Sequence, residues 1–331
     1  MVSRWWGVGL KDYVIRRLIT AIPTLLAISL ITFAIVHLAP GDPLQFFLAL
    51  NPNTPPWMIE FLKKKYGLDR PLWEQYMKWL WMLLTGDLGY SYVSGEPVSF
   101  MIGVRVWNTL KLTLTSEAIA LSIAIPLGVI SAVKSNSVVD HGSRILALMG
   151  GSMPVFWLSL LLIYMFSLWL GIFPTFGAAT VGKEYSSIFE QWADELWHLA
   201  LPALALGLVR TAFLTRLVRG SVIGELQSDY VLTARMKGLS EKIVIYKHVL
   251  KNALLPVVTV VGLSMGFMLS GAVLTETVFA WPGMGRLAWW ATLTRDYPVL
   301  MAITVIVASM VVIFNLVTDV IYAFIDPRIK Y

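Results

Sequence analysis

Six apolar runs, each long enough to cross a bilayer as a helix, constrain this chain more than any other feature. They lie at 18–38 and at about 109–133, 145–170, 199–218, 253–275 and 299–325. A spanning helix needs about 20 mostly apolar residues. Inside hydrocarbon every backbone N–H and C=O must find a partner within the protein, which leaves helices or closed barrels. Continuous runs without a period of two select helices. Composition agrees, since 57% of the 331 residues are apolar and only 14% are charged, against about a quarter in soluble domains. The expected fold is an all-α integral membrane protein with six transmembrane helices, multi-pass in a cell (plasma or inner) membrane. The basic start before Leu18 would also suit a secretory signal, but the apolar run is too long for one and no small-x-small cleavage site precedes 39–41. Pro23 falls in the first turn of that helix, where its missing N–H costs little.

Lys and Arg set the expected orientation. Segments 1–17, 134–144, 219–251 and 326–331 together hold fourteen of them, whereas 171–197 and 276–298 hold three. That asymmetry predicts both termini inside. Residues 39–108 then form a long external insert between the first two helices. Four parts follow: 1–38, the insert 39–108, a five-helix core 109–325 containing the loop 219–252, and a cytoplasmic tail 326–331. The net charge of +6 is explained by inner loops and calls for membrane lipid as a neighbour, not nucleic acid. Within the insert, Pro56 and Pro71 mark helix starts and Gly67 and Gly86 helix ends.

One polar stretch, Asp229 to Pro256, sits between two apolar runs and carries five Lys/Arg. Asp229 serves as an N-cap for a helix to about Lys237, and Gly238 suits the left-handed residue that ends it. Ser240 with Glu241 starts a second helix that runs on past Asn252. Two short helices fixed to spanning helices at both ends make a lever for a soluble partner.

Catalytic chemistry is hard to find. No GxxxxGK[ST] occurs, so an ATP site would lie on another chain. The chain has no Cys, and its four scattered His offer no paired metal-ligand spacing. Gly150-Gly151-Ser152 fits a loose Gly-x-Ser, but no His falls mid-helix to act as its base, and small-residue packing before Pro154 explains it equally well. Ionisable residues within the runs are Glu117, Arg210, Arg216 and Asp319, and each must face protein or a watery cavity. Arg216 and Asp319 lie near inner ends, where snorkelling or an ion pair suffices. Asn315 and Asp319 share a helical face. Glu117 and Arg210 sit deeper and can be paired structurally, line a solute path, or relay ions in a secondary transporter. Trp281, Trp289 and Trp290 read as an interfacial belt.

The run DYVLTARMKGL followed by HVLKNALLPVVTVVG, with Ala234-x-x-x-Gly238 and Leu255-Pro256, resembles the coupling loop of ABC importer permeases. That loop usually begins Glu-Ala-Ala, and here Leu232 and Thr233 replace its first two residues. Other matches are GDP at 41–43, YGLDRPLWEQYMKWL at 66–80, GDLGYS at 86–91, Ser152-x-Pro154, ETVFAWPGMGR, RDYP and NLVTDVIYAFIDPRI. Together they resemble the B-type permease of dipeptide/oligopeptide importers. The resemblance implies an ATPase-coupling loop carried by Asp229, Tyr230, Thr233, Ala234, Arg235, Lys237, Gly238, Leu239, Ser240, His248, Asn252 and Pro256. It also implies a translocation path that Glu117, Ser152, Arg210 and Asn315 could line. Implied partners are a second, C-type permease, two cytoplasmic ATPases that hold ATP and Mg, and an external substrate-binding protein. This chain would bind no cofactor or metal and catalyse no bond-making step. Short peptides are the expected solute, with oligosaccharides or nickel as alternatives.

Overall fold

The computed structural model describes residues 10–38, 44, 48, 53–268 and 271–325. The GDP stretch at 41–43, Arg4 and the 326–331 tail lie outside them. Among the described residues the secondary structure is helical, apart from one antiparallel bridge between Tyr90 and Pro97. Among the described residues, four helices are long and apolar enough to span a membrane: α1 (Leu10–Leu38), α4 (Val98–Val133), α7 (Ile188–Leu226) and α13 (Tyr297–Ile325). Two bent pairs qualify only if each counts as one span. These are α5 (Val138–Ser152) with α6 (Val155–Trp169), and α9 (Glu241–Ala253) with α10 (Leu255–Met268).

The run expected as one straight helix over 145–170 turns by 101° between α5 and α6. Pro154 is the cause. Its ring drives Met153 into extended backbone (φ −78°, ψ 127°), and its missing N–H ends the ladder. The next helix restarts with Leu158 N donating to Pro154 O at 3.1 Å. The bend between α9 and α10 is milder, 41°. Three helices outrun their apolar cores. α1 begins at Leu10, so Pro23 lies inside the helix and not in its first turn. α7 extends polar turns past both ends of 199–218, and α4 begins at Val98, inside the stretch read as insert.

Helix directions follow from cross-contacts. Lys111 pairs with Glu195 at 2.5 Å, Glu117 with Arg210 at 3.1 Å, and Gly128 packs on Val218. Contacts that advance together along both chains make α4 and α7 parallel neighbours. Their close approach needs small residues: a Cβ at Gly128 would come within 2.7 Å of Val218 Cβ, and one at Gly207 within 3.0 Å of Ser116 O. By contrast Gly262 meets Thr318 and Gly266 meets Val311, so α10 and α13 are antiparallel. α1 also opposes α13, with Arg17–Asp319 (3.1 Å) at one end and Phe33 beside Tyr297 and Met301 at the other. The Arg17–Asp319 pair is the kind of link expected for Asp319.

Two short helices are described between residues 53 and 97, ahead of α4. α2 (Pro56–Tyr66) ends on left-handed Gly67 (φ 72°), and α3 (Leu72–Leu84) follows Pro71. α3 leans on α1, where Tyr76 OH meets Ser29 Oγ at 3.0 Å and the Tyr76 ring meets Phe33 edge-on. The remaining short helices are α8 (Asp229–Met236), α11 (Val273–Val278) and α12 (Met284–Thr294).

Candidate coupling loop and translocation path

α8 follows directly on the C-terminal end of α7. Ser228, in extended backbone, precedes its first residue, so Asp229 lies inside the helix and not at its N-cap. Acidic Asp229 there complements the helix dipole. Gly238 adopts φ +75° with nothing within 4 Å of a notional Cβ. The turn is closed by Gly238 N to Arg235 O (2.9 Å) and Leu239 N to Ala234 O (3.4 Å). Ser240 is the N-cap residue of α9, as expected, though its hydroxyl makes no capping bond. Arg235 bridges the joint, its Nε and Nη2 donating to the two carboxylate oxygens of Glu241 at 2.8 and 3.3 Å. Tyr230 OH donates to Glu225 and to His248 O, and Thr233 Oγ1 to Asp229 O. Asn252 is half-buried on α9. The α8–Gly238–α9 unit is thereby braced at three points.

Its two faces differ. Val231 and Ala234 point inward and pack with Val244, Val249, Leu214, Val218 and Val222. Ala234 is only 6% exposed, so it packs against this chain's own bundle. Outward stand Leu232 (57% exposed), Met236 (73%), Leu239, Ile243 and Tyr246, with Lys237 and Pro256 also exposed. Solvent-facing apolar residues in a row call for a covering partner.

Beneath the lever lies a lock that sequence reading passed over. Asp140 accepts Arg219 Nε at 2.7 Å and Nη2 at 2.9 Å, Ser131 Oγ at 2.5 Å and Asn136 N at 2.9 Å. It ties α4, α5 and α7 together where α8 begins. A legible signal existed, because Ser137-x-x-Asp140 opens a helix and Asp140 N does bond Ser137 Oγ at 3.3 Å.

Further along α4 and α7, Glu117 is 4% exposed and accepts Arg210 Nε at 3.1 Å. Arg210 also bonds Ser264 of α10 and stacks over Phe213. Glu117 Oε1 is buried and has no partner among the described residues. Ser152 is exposed on the last turn of α5, at the corner. Asn315 lines a separate cavity of about 520 Å³ between α1, α10 and α13, its Oδ1 also unpartnered. Among the described residues the structure bonds Glu117 to Arg210 and shows no bond from either to Ser152 or Asn315. Arg216 lies over Gly151. Among the described residues, no group of three His, Asp or Glu is placed to hold a metal.

At the opposite end of α4 from the lever, the segment 276–300 forms a knot. Glu276 Oε1 accepts Thr109 Oγ1 (3.1 Å) and Oε2 accepts Arg286 N (2.8 Å), while Thr109 Oγ1 accepts Met284 N (2.8 Å). Burial pushes the Glu276 carboxyl up, and the N–H and O–H donors pull against that. Trp281 Nε1 donates to Asn108 O at 3.1 Å, and Asn108 Nδ2 to Pro282 O at 3.1 Å. Trp281 is 1% exposed. It is a core residue and does not join the interfacial belt read for it, because its ring and N–H are both satisfied inside. Asp296 accepts Ser91 Oγ and Tyr92 N, which staples the α12–α13 turn to the segment before α4.

Comparison with known proteins matches two family profiles. Residues 124–331 match the binding-protein-dependent transport system inner membrane component, and 10–113 its N-terminal membrane component. The oligopeptide transport system permease protein AppB of Bacillus subtilis is 44% identical over 320 residues, covering 96% of this chain and 99% of that protein. The dipeptide transport system permease protein DppB of Alkalihalophilus pseudofirmus is 42% identical over 332 residues, with 96% and 99% covered. The glutathione transport system permease protein GsiC of Escherichia coli is 41% identical over 320 residues, with 97% and 99% covered. Among solved structures, the MetNI methionine ABC transporter in an inward-facing conformation aligns with a TM-score of 0.54 at 18% identity, covering 70% of this chain and 99% of the matched one. At that identity the likeness speaks for the fold alone.

Proposed function

The chain belongs to the family of binding-protein-dependent transport system inner membrane components, and from that premise we propose that it is the B-type permease subunit of an ATP-driven importer of short peptides. The observation that carries the reading is the outward apolar row of Leu232, Met236 and Leu239 on a braced helix pair, supported by relatives named for oligopeptide and dipeptide transport. In this reading the lever meets a cytoplasmic ATPase subunit, one of two that hold ATP and Mg. A second, C-type permease completes the path, and an external binding protein delivers the peptide.

Both bent pairs are single crossings in this account, giving six spans. The parallel run of α4 and α7 supports this, since α5 and α6 must together return the chain to the end where α7 begins. Antiparallel α10 and α13 support it likewise. Both termini and α8 then lie in the cytoplasm, and the 276–300 knot and the insert lie outside. Glu117 borders the path: a buried carboxylate oxygen without a partner costs free energy unless water or solute reaches it. Arg210 is committed to Glu117 and Ser264, so it orders the path wall and does not greet the peptide.

ATPase closure draws the lever inward as a rigid body, and the packed α8–α9–α7 core passes the motion to the spanning helices. A substrate panel tests the assignment. With the reconstituted complex and its binding protein, di- to pentapeptides should stimulate ATP hydrolysis, and cello- or xylo-oligosaccharides and nickel should not. Stimulation by the sugars alone would overturn the peptide reading. Uptake that follows a proton or sodium gradient without ATP, and fails in Glu117→Gln, would overturn the ABC reading in favour of an ion-coupled carrier.

A further inference from the structure

The knot end of the bundle carries a cavity of about 360 Å³ whose walls include Arg105, Arg286, Glu96 and Trp290. Two arginines sharing one cavity repel each other unless an anion lies between them. Arg105 lies within the field of Arg286 and of Glu96, yet neither guanidinium forms an ion pair with a carboxylate among the described residues. Each is instead tethered by one N–H to a backbone carbonyl, Arg105 Nη1 to Met101 O at 2.7 Å and Arg286 Nη1 to Ala280 O at 2.8 Å. A tether of this kind fixes the fork, and its other donors have no partner among the described residues. Arg is the side chain whose planar fork matches a carboxylate in a bidentate grip.

The backbone around the cavity is preorganised too. The N-terminal N–H groups of α12 are already spent, Met284 N on Thr109 and Arg286 N on Glu276. Any anion here must therefore be held by side chains. Glu96 adds the opposite charge, and Trp290 with Leu287 and Met101 adds an apolar wall. Two cationic forks, one carboxylate and an apolar surface are the chemistry that complements a zwitterion with a side chain.

We propose that this cavity is an entry site that takes a peptide by its free terminal carboxylate, using Arg105 and Arg286, with Glu96 receiving a cationic group of the same ligand. The inference rests on the peptide-importer reading and on the orientation that puts the knot outside. It deepens that reading by giving the permease its own contact with the solute.

The test uses the complete complex in proteoliposomes, with its binding protein loaded with a labelled tripeptide. Wild-type uptake is measured first, and its absence would count against the importer reading before any variant is made. Arg105→Gln, Arg286→Gln and the double variant are then compared for peptide uptake and for the binding-protein concentration that half-saturates it. Loss of a charge-assisted fork should cost about tenfold in uptake at saturating binding protein in the double variant. The half-saturating concentration should stay unchanged. Arg286→Lys, which keeps the charge without the fork, should fall between. Size-exclusion recovery of intact complex guards against misfolding. Should the variants leave uptake at saturation intact and raise the half-saturating concentration, the arginines dock the binding protein and the proposal fails. Unchanged kinetics in the double variant would overturn it equally.

Discussion

Trp281 shows how much a single side chain at the knot is asked to do. Its indole packs with Leu112 of α4 and with Leu199 and Ala203 of α7, and its one N–H is spent on Asn108 O. Truncation to Ala should cost about 3–5 kcal/mol, the usual range for a large buried aromatic, and a marked drop in the thermal stability of the purified complex would register it. Trp289, half exposed on the same segment, should tolerate the same change with little loss. The contrast matters because composition alone put both in one aromatic belt. Asp140 makes a second residue-scale case. Asp140→Asn keeps the shape but removes the charge that holds Arg219 in a bidentate grip, so the complex should lose thermal stability. The double change Asp140→Asn with Arg219→Gln should lose less than the two single losses summed, since they share one interaction. Strict additivity would mean that the pair does not couple α5 to α7.

At the scale of elements, the helix–Gly–helix lever was legible because its signals are local: a left-handed glycine, a Ser-Glu start and a polar break between apolar runs. What sequence could not supply was the direction of each face. Ala234 belongs to the motif that carries the resemblance, yet burial turns it toward Val244 and Val249, and Leu232 and Met236 are the exposed side chains. The corner at Pro154 was likewise written in the chain, but an apolar run of the right length hides a bend, since length and hydropathy are blind to direction. Gly238 offers a sharp test. No side chain crowds it, so only backbone strain opposes substitution, on the order of 1–3 kcal/mol for a residue that avoids the left-handed region. Gly238→Asn should keep most uptake, because Asn visits that region readily, whereas Gly238→Val should abolish it while the chain still inserts. Equal loss in both would point to a clash or contact at Gly238 and away from conformation. Ala234→Glu, by contrast, should reduce recovery of folded protein, because it buries a charge inside the bundle.

In the proposed reading the whole molecule is a path with a lever at one end and a knot at the other, and its orientation is open to labelling. The chain has no native Cys, so Ser240→Cys should react only with reagent supplied from the cytoplasmic side and Gly95→Cys only from outside. The reverse pattern would invert the molecule and remove the lever from the ATPases. ATP-driven uptake of a labelled peptide by proteoliposomes holding the full complex, compared between wild type and Leu232→Glu/Met236→Glu, asks whether the exposed row carries force from the ATPases. Both changes lie on the exposed face, so assembly of the permease pair should survive them. Wild type should show ATP-dependent uptake, and the double variant an intact permease pair with uptake lost. Wild-type uptake by that variant would contradict that expectation, because the exposed row would then carry no force from the ATPases.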